Sequence, residues 1–144
     1  MSKSTSNFLK IIAMLTMLID HTGAILFPEY LWLRIIGRIS FPLFAYLLVV
    51  GFKHTHNVNR YLIRLFIFAL ISQIPYQYLS PGRFNVILYF FIALLSLKFY
   101  DKNNKRFYIP IIVALLTEYL SISYGFYGIV AIYLFYHFYD NKTY

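Results

Sequence analysis

The sequence predicts an all-α membrane protein, a polytopic helical bundle of about six transmembrane helices with both termini in the cytoplasm. Composition points there first: 60% of the 144 residues are hydrophobic, 22% are aromatic and only 12% are charged, with a mean hydropathy of +0.64. Such a chain cannot present a polar surface to water on every side. The pattern then selects helices over a barrel, because runs such as Phe8 to Phe27 and Phe41 to Phe52 are apolar throughout and lack the inside/outside alternation of barrel strands. Length sets the count. A hydrocarbon core of about 30 Å takes about 20 residues per crossing, so the chain holds at most six helices with short connections and reads as one transmembrane domain over 1–144.

The first span, about 8–27, follows a short polar stretch and has no small-residue cleavage pattern after it, so it reads as an uncleaved helix rather than a signal peptide. Pro28 and Glu29 end it. The second span, about 31–52, leads into the basic run Lys53 to Arg60, and the third covers about 61–79. Ser80 to Arg83 connects to the fourth, about 84–100. The fifth, about 107–120, carries Pro110 in its first turn, where proline is tolerated, and the sixth runs from Gly125 to about 139. With the N terminus in the cytoplasm, one side collects Lys3, Lys10, Lys53, Arg60, Arg64, Lys98, Lys102, Lys105, Arg106 and Lys142. The other collects only Arg34, Arg38 and Arg83. By the positive-inside rule this asymmetry puts both termini in the cytoplasm.

The same distribution accounts for the formal charge of +8: the cations lie in short loops, where topology and anionic headgroups place them, and no nucleic acid partner is expected. Tyr30, Trp32, Tyr76, Tyr78, Tyr100 and Tyr108 near the span ends fit an interfacial belt. The absence of cysteine excludes disulfides, thiolate metal sites and a cysteine nucleophile.

Chemistry is expected where ionisable residues enter apolar spans, since each costs from about 3 to more than 10 kcal/mol in hydrocarbon and needs a partner. Asp20 and His21 lie roughly 18–20 Å along the first span, and Arg34 and Arg38 lie within about 11 Å of the start of the returning second span, one turn apart. The two sets meet at similar depth. Asp20 facing Arg34 or Arg38 neutralises one charge and leaves a second guanidinium beside His21. That surplus suits a developing oxyanion, with the imidazole, the side chain that titrates near neutral pH, as a base. The alternative is an Asp/Arg clamp that fixes two helices, with His21 bonded to a carbonyl. One clamp needs one arginine, and the sequence supplies two.

Lys53, His54, His56, Arg60 and Arg64 form a basic group at the cytoplasmic boundary. Either it is a positive-inside anchor or it holds phosphates, as the nucleotide of an acyl-coenzyme A requires; histidines add nothing to anchoring. No metal site is expected, because no carboxylate or third histidine stands at ligand spacing. Gln73 and Tyr76 flank Pro75 near the outer end of the third span, and Glu118 near the outer end of the fifth is placed to pair with Arg83.

Several ordered blocks carry a resemblance. They are Lys10-Ile-Ile-Ala, Met17-Leu-Ile-Asp20-His21-Thr-Gly23, Leu33-Arg34-Ile-Ile-Gly37-Arg38-Ile-Ser-Phe41-Pro42-Leu-Phe44, Gly51-Phe-Lys-His54-Thr55, Tyr61-Leu-Ile-Arg64-Leu and Ile71-Ser72-Gln73-Ile-Pro75-Tyr76. Together they resemble the TraX family, over about residues 8–136 and less closely after Tyr76. The resemblance implies a polytopic inner-membrane protein of bacteria. It also implies N-terminal acetylation of a pilin-like subunit with acetyl-coenzyme A as donor, and sites at Asp20, His21, Arg34, Arg38, His54, Arg64 and Gln73. Where the family often reads Asp-Tyr-Gly, this chain has Ser123-Tyr124-Gly125, so that carboxylate is absent. In the fourth span the family's usual threonine and glycine are replaced around Tyr89 and Ala93.

The expected function is therefore a membrane acyltransferase. His21, oriented by Asp20, serves as base and Arg34 and Arg38 hold the oxyanion. Lys53, His54, His56, Arg60 and Arg64 bind acetyl-coenzyme A or another acyl-coenzyme A, and Gln73 and Tyr76 contact a peptide or small-protein acceptor. The competing expectation is a non-enzymatic membrane protein, a bacteriocin immunity or assembly factor, that binds a peptide between its helices. A transporter is disfavoured by the missing internal repeat. Six short helices enclose little interior, which leaves room for a homo-oligomer.

Overall fold

The structure, a computed structural model, describes residues 3–100, 106–122 and 124–140. Among them every regular element is an α-helix: α1 (Lys3–Ile25), α2 (Leu31–Gly37), α3 (Ser40–His54), α4 (Val58–Leu79), α5 (Val86–Phe99), α6 (Tyr108–Tyr119) and α7 (Gly125–Asp140). The Lys3 side chain, Lys102, Lys105 and Lys142, on which part of the charge asymmetry rests, lie outside the described residues, as does Ser123.

Three stretches are long and apolar enough to cross a membrane: Ser4–Ile25, Leu31–His54 and Val58–Leu79, of 22, 24 and 22 residues. At 1.5 Å per residue these reach about 33–36 Å, enough for a hydrocarbon core of about 30 Å. Large apolar side chains cover their outer faces, such as Leu18 at 63% exposed and Ile74 at 68%. Surfaces of that extent are stable against lipid and would aggregate in water. The remaining helices are shorter, with 14 residues in α5, 12 in α6 and 16 in α7. Among the described residues, three of the six expected spans thus have full crossing length.

The second expected span is not one helix. It breaks at Arg38 and Ile39, between α2 and α3. Pro42 is the physical reason: it has no N–H to give the Arg38 carbonyl, and its ring crowds that carbonyl. The chain tightens instead, with the Ile39 N–H donating to Ile36 O at 3.2 Å. Elsewhere local chemistry sets the boundaries. Asn57 caps α4, its side chain accepting from the Arg60 N–H at 3.0 Å, so the helix starts three residues before the expected 61. Asn85 caps α5 in the same way through the Leu88 N–H at 2.8 Å.

Two compact units make up the chain, residues 1–47 and 48–144. The first is built on an antiparallel hairpin of α1 and α2. Glycines permit the approach: a Cβ on Gly23 would lie 2.7 Å from Leu33 Cβ, and one on Gly37 would lie 2.5 Å from Asp20 Cα. In the second unit α5 is the central helix, packed by α4, α6 and α7. Its apolar residues point in all directions, and Tyr89, Ala93, Leu94 and Leu97 are buried. Its interior polar groups are satisfied internally, as a bilayer demands. The Tyr133 hydroxyl donates to Ser96 Oγ at 2.9 Å, Ser96 to Ala93 O at 2.6 Å, and Tyr89 to Gly125 O at 2.7 Å.

Candidate functional site

The hairpin of the first unit brings Asp20 and Arg34 together. Arg34 Nε lies 3.5 Å from Asp20 Oδ1, with the side chains 40% and 24% exposed. The contact is an ion pair without a hydrogen bond, for Asp20 Oδ1 is buried and accepts from no described group. Gly37 packs directly on Asp20, so the carboxylate is held against the backbone of α2. Arg38, the C-cap of α2, is exposed and forms no ion pair with a described residue. Of the two expected partners of Asp20, the structure pairs Arg34 and leaves Arg38 as the spare cation.

His21 is half-buried, and its Nδ1 lies 2.8 Å from Met17 O. A carbonyl oxygen only accepts, so this bond places the proton on Nδ1 and leaves the Nε2 lone pair exposed as an acceptor. Asp20 therefore does not orient the imidazole as expected. Consecutive helical residues point about 100° apart, whereas the carbonyl four residues back lies directly beneath the ring. The ring forms no hydrogen bond with Asp20, Arg34 or Arg38.

The second unit holds the basic group, and its members differ. His54 repeats the His21 pattern, with Nδ1 at 2.9 Å from Val50 O, but its Nε2 is also engaged, accepting from the Tyr139 hydroxyl at 3.2 Å. Both ring nitrogens of His54 are thus engaged, and the residue links the end of α3 to Tyr139. Lys53 Nζ stands 3.6 Å above the centroid of the Tyr136 ring, a cation–π contact. His56, Arg60 and Arg64 are exposed and form no ion pair with a described residue. Lys98 Nζ donates to Asn59 Oδ1 at 2.7 Å, tying the end of α5 to the start of α4.

Gln73 is used in the fold. Its Oε1 accepts from the Asn85 N–H at 3.0 Å and its Nε2 donates to Arg83 O at 2.8 Å, closing the α4–α5 connection together with Gln77. Tyr76 is half-buried and its hydroxyl bonds to no described residue. Glu118 does not pair with Arg83: its Oε2 accepts from the Phe126 N–H at 3.0 Å and stabilises the first turn of α7. Among the described residues no three His, Asp or Glu side chains come together as a metal site would need. Tyr136, Tyr139 and Met17 were not expected. The tyrosines carry no local signal, since Tyr139 meets a residue 85 positions away, but the Met17 carbonyl was foreseeable from i−4 spacing.

The family model described as TraX protein matches residues 5–144. Over 152 aligned residues the chain is 30% identical to a Dichelobacter nodosus protein named probable fimbrial assembly protein FimC, serogroup H1, covering 93% of this chain and 62% of that protein. Over 97 residues it is 31% identical to protein TraX of Escherichia coli (strain K12), covering 64% of this chain and 38% of that one. The chain thus spans less than two thirds of the length of either relative. No solved structure matches it.

Proposed function

Because the chain belongs to the TraX family, we propose that it is an acyltransferase of the bacterial inner membrane, transferring an acetyl or other short acyl group from acyl-coenzyme A to a peptide or small-protein N terminus. The observation that carries this reading is the contrast between two histidines. Both give Nδ1–H to the carbonyl four residues back, but Tyr139 occupies Nε2 of His54, while Nε2 of His21 meets no described donor. A half-buried imidazole in a fixed tautomer, on the same hairpin as an Arg38 that pairs with no described carboxylate, is equipped for general base catalysis.

In the proposed step the neutral amine of the acceptor attacks the thioester carbonyl carbon, and His21 Nε2 takes the proton that the amine loses. Arg38 stabilises the tetrahedral oxyanion, with Arg34 held on Asp20. The carbon–sulfur bond breaks, and the coenzyme A thiolate leaves and recovers the proton from the imidazolium. The donor's phosphates are assigned to Arg60 and Arg64. We further take the chain to cross the membrane six times with both termini cytoplasmic, as the positive-inside asymmetry supports; the short α5, α6 and α7 then require local thinning or snorkelling at their ends.

The test is transfer from acetyl-coenzyme A to N-terminal peptides by protein in lipid nanodiscs, read by mass spectrometry. General base catalysis is worth about 10² to 10⁴ in rate, so His21→Ala should stay helical and membrane-inserted with transfer reduced at least about a hundredfold. Undiminished transfer by that variant removes His21 from the base role. A second reading, a non-enzymatic assembly factor, is favoured by the printed name of the Dichelobacter relative. It predicts no binding of acetyl-coenzyme A.

A further inference from the structure

In the second unit a groove of about 280 Å³ runs between α6 and α7. It extends from Phe107 to Ala114 on one side and from Phe126 to His137 on the other, and its lining is almost wholly apolar. From Phe126 to His137 the helix rises about 16 Å, close to the depth of one leaflet, half of a hydrocarbon core of about 30 Å. The flank is open, with Ile111 51%, Val130 38% and Leu134 49% exposed. A short connection joins α6 to α7, so the start of one and the end of the other lie at the same end of the groove. That end is polar. The Tyr100 hydroxyl lies 3.3 Å from His137 Nε2, and Arg106, exposed and in no ion pair with a described residue, directly precedes the lining residue Phe107.

In a bilayer a groove of this shape selects its occupant by size. An α-helix is about 10 Å across with its side chains, and over the same length it needs several times this volume. A single acyl chain is narrow enough, and its packing gains the dispersion contacts that a gap would forfeit. Hydrophobic transfer adds nothing, since the chain leaves an equally apolar bilayer, so shape and headgroup charge must supply the preference. The length of α6 strengthens the argument from charge. As a crossing helix its 12 residues rise only about 18 Å, which draws Arg106 toward the hydrocarbon, where a guanidinium needs an anion. We propose that the groove seats one acyl chain of an anionic phospholipid, with the headgroup phosphate on Arg106. The paired Tyr100 and His137 end the apolar track below the headgroup. On the six-crossing topology this is the cytoplasmic leaflet. The site goes beyond the acyltransferase reading and does not depend on it, since it uses none of His21, Arg38, Arg60 and Arg64.

Native mass spectrometry of the full chain, released from nanodiscs of equimolar phosphatidylglycerol and phosphatidylcholine, reads the retained lipid directly. The parent should keep one lipid per chain and prefer phosphatidylglycerol by about fivefold, the ratio that about 1 kcal/mol per basic residue at a membrane surface gives. Arg106→Gln should still keep a lipid, with the two kinds within about twofold of each other, while Lys10→Gln, an exposed cation of the first unit, should leave the preference as it is. Val130→Trp puts an indole into the groove from its open flank and should abolish retention of both lipids. Leu116→Trp, on α6 but outside the lining, should not. A parent that keeps no lipid, or keeps both kinds equally, overturns the proposal whatever the variants do. So does a preference that falls as far in Lys10→Gln as in Arg106→Gln, or retention that Val130→Trp and Leu116→Trp affect alike. A dimer of the parent that Val130→Trp dissociates would assign the groove to a second copy of the chain and overturn it too. Acyl transfer is read in none of these measurements, so the acyltransferase reading stands or falls separately.

Discussion

Replacing Gly37 with alanine probes the contact on which the first unit depends. A methyl group there would stand 2.5 Å from Asp20 Cα and 2.8 Å from its Cγ, and closer still to its Cβ. Cβ contacts under 3.0 Å essentially never occur, and the obstruction here is the backbone of α1 rather than the tip of a flexible side chain. The hairpin must open by about 1 Å to admit it, and close-packed interiors do not absorb such a shift locally. Overpacking usually costs about 1–3 kcal/mol, and between membrane helices close packing is itself the main attraction, so the expected loss is about 3 kcal/mol.

Trp32 on α2 is the only tryptophan in the chain and reports on this hairpin. Titration of sodium dodecyl sulfate into protein held in mixed micelles, followed by Trp32 emission, gives the unfolding free energy. Gly23→Ala serves as an internal gauge. Its obstruction is Leu33 Cβ at 2.7 Å, fixed by the backbone of α2 but farther off than Asp20 Cα is from Gly37, so its loss should be about 1–2 kcal/mol. A Gly37→Ala protein within about 0.5 kcal/mol of the parent, the spread of an ordinary surface substitution, refutes the close approach and the placement of Asp20 that follows from it.

Asn85, only 3% exposed, caps α5 and also donates from Nδ2 to Ala69 O at 2.8 Å. Asn85→Ala should cost about 2 kcal/mol by loss of a cap and a buried bond, and Asn85→Asp about half of that because the capping oxygen remains; equal losses by circular dichroism would show that the cap contributes nothing. Glu118→Ala should destabilise by about 0.5–1 kcal/mol through the first turn of α7, while Arg83→Ala, which breaks no ion pair, should change stability by less than about 0.5 kcal/mol; similar losses for the two would restore the pairing of Glu118 with Arg83.

Helix content, the capping asparagines and the breaker at Pro42 were all legible locally, because each acts within four residues along the chain. The break between α2 and α3 was missed although its cause was in plain sight: hydropathy over 31–52 is continuous, and an average over a window hides a single missing donor. The site was legible as a set of residues but not as a set of bonds. Asp20 next to His21 in sequence suggests a pair, yet adjacent residues on a helix diverge, and each partner comes from elsewhere, Arg34 for one and the Met17 carbonyl for the other. Gln73 looked like a ligand group for a similar reason. A polar side chain near a membrane interface also serves the backbone of the nearest connection, and here Arg83 and Asn85 claimed it. Nothing local announces Tyr136 or Tyr139, whose meaning depends on which helix end folds back to Lys53 and His54.

The charges of the first unit are poorly explained by stability alone. An ion pair at 3.5 Å, with one carboxylate oxygen buried and accepting no hydrogen bond, is a weak clamp, and replacing partly buried pairs with apolar residues is often neutral or stabilising. The helices already have a closer fastening in Gly37 against Asp20 and Gly23 against Leu33, which works without any charge. Arg38 strengthens the point, since it pairs with no described carboxylate and still stands at the break where Pro42 interrupts the helix. Removing the pair and keeping the fold should therefore be achievable: Asp20→Leu combined with Arg34→Met should retain the hairpin in the Trp32 titration within about 1 kcal/mol while the proposed acyl transfer is lost. A double variant that unfolds instead would make the pair structural after all, and His21 would stand beside a clamp rather than in a catalytic centre.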